Sequence, residues 1–281
     1  MSEVQVSYDY AVHSDFLIHW TGKDIDGQYD PSWHEEHNSM TRQQVVVACY
    51  IKRLRDILRY GLWMTEEDEP QTFLVGPQTI HIPATPQCCF TELKLSESRK
   101  HARRYGRLGI GLKRPFLFQR SGRPLAYFGF GKDSDNDKFF KTCAVELTDK
   151  RLLNFFKPMN SDTSTLNYDL YGESEWRILY LKELLKRHKI IDPRDEQNVA
   201  EHNYFNSLPS ESREKLKYLI PLDGWFAMII YPSLPIKNYA QRDEDIVGLI
   251  TKLKSKRSDH GNLVEGGNWP IEVNLDACRN F

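Results

Sequence analysis

The apolar runs of this chain are all short, and Trp225–Tyr231, with seven residues before Pro232, is as long as any. A helix needs about 20 apolar residues to cross a bilayer, whereas a buried strand needs only about five or six. The run therefore predicts a buried strand. Runs of this length are expected to be buried in a sheet rather than in a membrane.

One segment carries the periodicity of an amphipathic helix. Over residues 41–60, apolar side chains recur at the three- and four-residue spacing of a helix face. Thr41 could cap its start, with Gln44 at the capping-box position. Gly61 is placed to end the helix. The pattern predicts a helix with one face on the core.

Strand-like and helix-like segments are interspersed along the chain, which predicts an α+β fold. We expect mostly antiparallel, short-stranded sheets with flanking helices, in a single domain over residues 1–281. Its core covers about 14–190, and a smaller C-terminal lobe covers about 215–281. The predicted strands lie near 14–22, 87–91, 105–112, 124–130, 168–181, 224–231 and 271–275. The predicted helices lie at 41–60, 92–104, 142–157 and 242–256, with a further helical stretch up to residue 189. Residues 192–214 are polar and predict loops.

Charge and cysteine usage indicate a reducing compartment. The net charge is -1, so no global charge points to nucleic acid or anionic lipid, although a local basic patch stays open. The five cysteines are odd in number, and the adjacent pair Cys88-Cys89 is poorly placed for a disulfide. The N-terminal segment lacks the basic and apolar regions of a signal peptide. We therefore expect a cytoplasmic protein with free thiols, no membrane partner and no metal site.

The first polar constellation is His19-Trp20-Thr21-Gly22 at a predicted strand end. The histidine and the hydroxyl can hydrogen-bond a ligand while the aromatic ring stacks on it. The alternative is a half-buried His-Trp pair in a sheet, since histidine is intermediate in burial.

The second constellation is Cys89-Phe90-Thr91-Glu92, followed by His101, Arg103, Arg104 and Tyr105. Two arginines after a strand could bind a pyrophosphate, because guanidinium forks match phosphate oxygens. The alternative is a basic helix face exposed to water.

The third constellation is Glu173-Ser174-Glu175-Trp176-Arg177. On a strand, Glu173 and Glu175 point to the same face, and repulsion between them would raise the pKa of one. The alternative is a pair of solvent-facing glutamates with Arg177 on the same face as their partner.

The order of these pieces resembles the AbiGi family of abortive phage-resistance proteins from bacteria. The chain reads LIHWTG, then a helix ending in ILRYGLW, then CCFTE and HARRYG, then YGESEWRIL. The resemblance covers roughly residues 15–181. It implies a role in anti-phage defence and a place in a two-gene toxin–antitoxin pair, with a cognate toxin or antitoxin as partner.

A second resemblance, at the level of fold analogy, is to ADP-ribosyltransferases related to DarT. The matching positions are His19, Ile57-Leu58 before Gly61, Phe90 and Glu173-Ser174-Glu175. The chain departs from that pattern at Trp20, where a smaller or tyrosine-type residue is often found. It departs again at Phe90, which lacks the hydroxyl of a tyrosine.

The analogy implies that NAD is a substrate. Cleavage of the nicotinamide–ribose bond develops oxocarbenium character, which a fixed carboxylate stabilises. Glu175 would supply that carboxylate, Glu173 would orient or deprotonate a nucleic-acid or protein acceptor, and His19 would hold a ribose hydroxyl. The implied NAD-binding residues are His19, Trp20, Thr21, Phe90, Arg103, Arg104 and Tyr105.

Two other functions stay open at this point. The first is a non-enzymatic antitoxin or sensor that binds a partner toxin, in which Glu173 and Glu175 are replaceable. The second is a nuclease or other metal enzyme, for which the sequence offers no clear set of carboxylate and histidine ligands.

Overall fold

A seven-stranded sheet lies at the centre of the fold. The structure is a computed structural model, which describes residues 16–27, 41–66, 72–75, 78–92, 98–129, 142–159, 174–256 and 270–279. The strands are β1 (Phe16–Thr21), β2 (Leu62–Met64), β3 (Thr72–Val75), β4 (Gln78–His81), β5 (Gln87–Thr91), β6 (Leu108–Lys113), β7 (Arg123–Pro124), β8 (Ala126–Gly129), β9 (Phe156–Met159), β10 (Glu175–Leu179), β11 (Tyr218–Ile220), β12 (Phe226–Tyr231) and β13 (Ile271–Asn274).

The structure describes nine α-helices. They are α1 (Lys23–Gly27), α2 (Arg42–Tyr60), α3 (Ser98–Tyr105), α4 (Arg114–Phe118), α5 (Lys182–Lys186), α6 (Val199–Ser207), α7 (Ser210–Lys215), α8 (Leu234–Ala240) and α9 (Glu244–Ser255). Short 3-10 helices follow at Lys150–Phe155 and Ala277–Arg279. In the described part of the chain, no helix is long and apolar enough to cross a membrane.

The large sheet is mixed, with the strand order β13-β12-β6-β1-β5-β10-β7. Its neighbouring strands run antiparallel except β12 and β13, which are parallel. Three two-stranded sheets pair β2 with β11, β3 with β4, and β8 with β9. The architecture is α+β with mostly antiparallel short strands, as predicted. The C-terminal strands β12 and β13 extend the same sheet as β1.

Alternating residues of the strands build two apolar layers. One face, called here the α2 face, packs against α2, α4, α8 and α9 and carries the largest buried cluster, with Leu17, Phe90 and Ile178 among its members. The opposite face, called here the α3 face, packs Ile18 and Trp20 against Ala102 of α3. Each side chain of β1, β5 and β10 therefore belongs to one of two separate environments.

Strand β6 carries glycines on the α3 face. A Cβ atom on Gly109 would lie 3.0 Å from the Trp20 ring, and one on Gly111 would lie 2.6 Å from the Cβ of Met228. Real Cβ atoms do not approach other atoms at the second distance. The missing side chains therefore make room for Trp20 and Met228 above β6.

Helix α2 begins and ends where the sequence predicts. Thr41 accepts from the Gln44 N–H, the Gln44 side chain accepts from the Thr41 N–H, and Gly61 donates to the Ile57 carbonyl. This is a complete capping box with a glycine stop. Strand predictions at β1, β5, β6, β10, β12 and β13 are also confirmed.

Residues 192–214 were expected to be loops, and that prediction is wrong. They contain helices α6 and α7. The only buried residue of α6 is Tyr204, and α7 buries none of its residues. Helices that bury so little carry no apolar stripe, so periodicity does not reveal them. A helix was also expected over 142–157. There the chain forms a helical turn at 142–146, a 3-10 helix and then β9.

We predict that Gly61→Ala lowers the free energy of unfolding by about 2–3 kcal/mol, because φ is +107° there. A Cβ atom at this position would also lie 2.1 Å from the Ile220 carbonyl oxygen. Gly248→Ala in α9 is the matched control. Nothing lies within 4 Å of its Cβ position, so it should gain about 0.5–1 kcal/mol. Urea unfolding of both variants measures the two changes. Equal effects would contradict the backbone explanation.

Candidate functional site

The carboxylate of Glu175 lies at the start of β10 in a buried ion cluster. Arg177 Nε donates to one carboxylate oxygen at 2.7 Å, and Lys157 Nζ donates to the other at 2.8 Å. The side chains of Glu175 and Arg177 are 8% and 5% exposed, whereas that of Lys157 is 20% exposed. We call these three residues the Glu175 cluster. Lys157 has the most exposed side chain of the three.

Strand register explains why these groups meet. Glu175 and Arg177 are two residues apart on a strand and so share a face. On β5, Thr91 stands opposite Glu175 and Cys89 stands opposite Arg177. All four side chains lie on the α3 face of the sheet.

The guanidinium of Arg177 is held on several sides. Its Nη1 donates to the backbone carbonyl of Asn154 at 2.9 Å and to Gln87 Oε1 at 3.3 Å. Asn154 lies in the 3-10 helix Lys150–Phe155, which directly precedes β9, the strand that carries Lys157. The segment 150–157 thus supplies both a carbonyl and an ammonium group to the cluster.

The electrostatics of the cluster fix the protonation of Glu175. Burial by itself opposes ionisation, but Arg177 and Lys157 outweigh it and lower the pKa of Glu175 to about 2. Burial, with a further contribution from the Glu175 charge, raises the pKa of the Cys89 thiol. At neutral pH the cluster therefore holds an anionic carboxylate beside a protonated thiol.

Repulsion between Glu173 and Glu175 predicts a raised pKa for one of them, but the pKa of Glu175 is lowered. The cause is Arg177, which the alternative interpretation of the same motif placed on this face. Glu173 lies outside the described residues.

His19 lies on the opposite side of the sheet from Glu175. Ile18 stands opposite Thr91, and Thr91 stands opposite Glu175, so Ile18 shares the face of Glu175 and His19 does not. The Nδ1 atom of His19 lies 2.9 Å from the Cys89 carbonyl oxygen, which can only accept. Burial lowers the pKa of His19, so its ring is neutral with the proton on Nδ1. The structure does not bring His19 and Glu175 together.

Thr21 and Phe90 accompany His19 on the α2 face. The rings of Phe90 and His19 are 5.8 Å apart. The hydroxyl of Thr21 accepts from Arg53 Nη1 at 2.9 Å, and Arg53 also pairs with Asp24. These contacts join β1 to α2.

Trp20 and α3 lie on the face of Glu175. The indole Nε1 of Trp20 donates to Thr91 Oγ1 at 3.0 Å. Ala102 packs α3 against Trp20, while Arg103 and Arg104 point into solvent and Tyr105 is half-buried. Trp20 and α3 therefore lie on the same face of the sheet as Glu175, whereas Phe90, Thr21 and His19 lie on the opposite face.

Two residues of this region have contacts that the sequence does not predict. Lys157 lies 18 positions before Glu175 in no recognisable motif, and no local signal points to it. Glu92 belongs to the CFTE motif but received no role. It accepts from Trp176 Nε1 at 2.9 Å and pairs with Arg114. Among the described residues, no three His, Cys, Asp or Glu side chains are grouped to hold a metal ion.

Comparisons of the chain with protein-family models, curated proteins and solved structures each return no match. The resemblances to AbiGi proteins and to DarT-related transferases therefore stay predictions.

We predict that the stability contributed by Glu175 is lost in acid. Its pKa is about 2 in the folded protein and 4.5 ordinarily, so the contribution is full above about pH 4.5 and disappears towards pH 2. The shift corresponds to roughly 3 kcal/mol. The difference in unfolding free energy between wild type and Glu175→Gln should shrink accordingly between pH 6 and pH 2.

The control for this measurement is Glu214→Gln, which removes an exposed carboxylate from α7. Its unfolding free energy should follow that of wild type throughout. A wild-type advantage over Glu175→Gln that is independent of pH would show that the ion cluster is not its source.

Proposed function

We propose that this chain is a cytoplasmic, NAD-dependent ADP-ribosyltransferase-like protein of bacterial phage defence, with Glu175 as its catalytic carboxylate. The supporting observation is that Arg177 and Lys157 keep a buried carboxylate ionised, with a pKa of about 2. An oxocarbenium-like ribose needs a fixed negative charge in dry surroundings. Glu175 meets both requirements.

The proposed NAD site lies on the α3 face. Strands β1, β5 and β10 are neighbours in the sheet, so Trp20, Thr91 and Glu175 lie side by side on this face, each less than a tenth exposed. The indole ring of Trp20, fixed by its bond to Thr91, takes the stacking role. His19, Thr21 and Phe90 then support the sheet from behind and do not touch NAD in this proposal.

Lys157 and α3 supply the cations for the pyrophosphate. Lys157 reaches solvent and would exchange Glu175 for a phosphate oxygen when NAD binds, which frees one carboxylate oxygen for the ribose. Arg103 and Arg104 are assigned to the pyrophosphate as well, because both are exposed on α3. Arg177 holds the other oxygen of Glu175 in place.

A second candidate is the non-enzymatic antitoxin or sensor. Both oxygens of Glu175 already accept from cations, as they would in a purely structural ion cluster. The C-terminal helices also expose apolar side chains, among them Leu234 and Tyr239 of α8, the latter 61% exposed. In this candidate the partner toxin covers such side chains, and Glu175 serves stability alone.

The deciding experiment incubates the purified protein with labelled NAD and a bacterial lysate. We expect label to move onto macromolecules, with a loss of about 100- to 1,000-fold in rate for Glu175→Gln. Glu214→Gln should keep the wild-type rate. Circular dichroism of each variant shows that the loss is not unfolding, and Glu175→Asp, which keeps the charge, provides a second test if Glu175→Gln does not fold.

No transfer and no nicotinamide release by folded wild-type protein would overturn the transferase proposal, as would full activity in Glu175→Gln. Rescue of cells from the toxin of a neighbouring gene, unaffected by Glu175→Gln, would then support the second candidate.

A further inference from the structure

The short parallel pair β8–β9 holds Glu175 with two neighbouring side chains. In this pair Tyr127 stands opposite Lys157. The hydroxyl of Tyr127 accepts from the backbone N–H of Glu175 at 3.2 Å, while Lys157 Nζ donates to the carboxylate of the same residue at 2.8 Å. The register of the pair therefore brings a phenol and an ammonium group to one residue.

The phenol of Tyr127 takes the place of a strand neighbour. The N–H and the carbonyl of one strand residue point to the same side. The carbonyl of Glu175 accepts from the Leu125 N–H at 2.9 Å, so both groups point towards the edge of the sheet. The edge strand there, β7, is only two residues long, and the Glu175 N–H bonds to the Tyr127 hydroxyl instead.

Strands β8 and β9 form a two-stranded sheet of their own, outside the seven-stranded sheet. In the 3-10 helix before β9, Leu153 packs with Ile82 and Ala144 in a small cluster apart from both apolar layers of the large sheet. Arg177 Nη1 donates to the Asn154 carbonyl of the same helix at 2.9 Å. We call β8, β9 and this 3-10 helix the cover.

Opening of the cover would leave the charge of Glu175 compensated. Arg177 lies on the same strand as Glu175 and donates to one carboxylate oxygen at 2.7 Å, so this contact stays when the cover moves. Lys157 holds the other oxygen from β9 and is 20% exposed, so water can replace it. The bonds that tie the cover to Glu175 and Arg177 are thus polar and exchangeable.

We propose that the cover opens and closes over Glu175 as a unit, and that this structure is its closed state. Elements that open locally are those held by few buried apolar contacts. Both carboxylate oxygens are occupied in the closed state, so opening is the step that admits a ligand to Glu175. The identity of that ligand as NAD rests on the proposed function, whereas the opening itself is measured without NAD.

Two adjacent thiols report on the opening from the two faces of the sheet. Cys89 lies on the α3 face opposite Arg177, whereas Cys88 is buried on the α2 face. The test measures the rate at which iodoacetamide alkylates each thiol in the folded protein at neutral pH, with mass spectrometry to assign the site. Opening of the cover exposes Cys89 alone, whereas unfolding exposes both thiols.

Tyr127→Phe removes one hydroxyl and leaves the charge unchanged. The Glu175 N–H then lacks its partner in the closed state, so opening becomes more frequent. Alkylation of Cys89 should be about 2- to 10-fold faster, the factor that one hydrogen bond contributes to an equilibrium, and that of Cys88 should not change. Tyr239→Phe, which alters an exposed ring in α8, is the matched control and should leave both rates unchanged.

Lys157→Gln provides a second test, because electrostatics and opening predict opposite signs. Burial raises the pKa of the Cys89 thiol, and the charge of Lys157 lowers it. If the cover stays closed, loss of the ammonium group raises this pKa further and slows alkylation. We expect faster alkylation of Cys89, because opening lets water reach the thiol. Lys252→Gln, which removes an exposed cation from α9, should leave the rate unchanged.

Three results would overturn the proposal: an unchanged Cys89 rate in Tyr127→Phe, a slower one in Lys157→Gln, or equal acceleration at Cys88 and Cys89. Faster alkylation of Cys89 in a protein that transfers no label from NAD would support the cover and remove the transferase proposal alone. The two proposals therefore fail separately.

Discussion

The register of β1, β5 and β10 decides what every polar residue of this protein can do. Each strand sends alternate side chains to opposite sides of the sheet, so Glu175, Thr91 and Ile18 share one side while His19 and Phe90 take the other. A slip of one residue in either pairing would exchange these sets and bury the charged cluster in the apolar α2 layer. The large apolar cluster on that side, which includes Leu17, Phe90 and Ile178, makes such a slip very unfavourable.

The ion cluster is stable because its charges are compensated where they lie. A buried carboxylate alone would take up a proton, and a buried guanidinium alone would be costly. Here Arg177 is two residues from Glu175 on one strand, and Lys157 arrives from β9. The backbone carbonyl of Asn154 and the side-chain oxygen of Gln87 both accept from Nη1 of Arg177. This arrangement leaves Lys157 as the one cation in the cluster with partial access to water.

Features fixed by neighbouring residues could be predicted from the sequence. The capping box of Thr41 and Gln44 and the stop at Gly61 are local, and so is the contact between Glu175 and Arg177. Features fixed across the chain could not. No sequence pattern around Lys157 indicates that its side chain lies beside Glu175. The separation of His19 from Glu175 depends on two pairings between strands roughly 70 and 85 residues apart, which periodicity within one strand does not specify.

The glycines of β6 have a consequence for the indole ring above them. Trp20 lies over a hollow where Gly109 carries no methyl group, and that position lets its N–H reach Thr91. The absence of a Cβ atom on Gly109 thus leaves the room that the Trp20 ring occupies above β6. An alanine at position 109 would place its Cβ atom 3.0 Å from the Trp20 ring and 3.1 Å from both Ile18 and Ile230, so these side chains would have to shift to accommodate it. Variation at Gly109 would therefore change the packing around Trp20 without replacing either partner of the bond between Trp20 and Thr91.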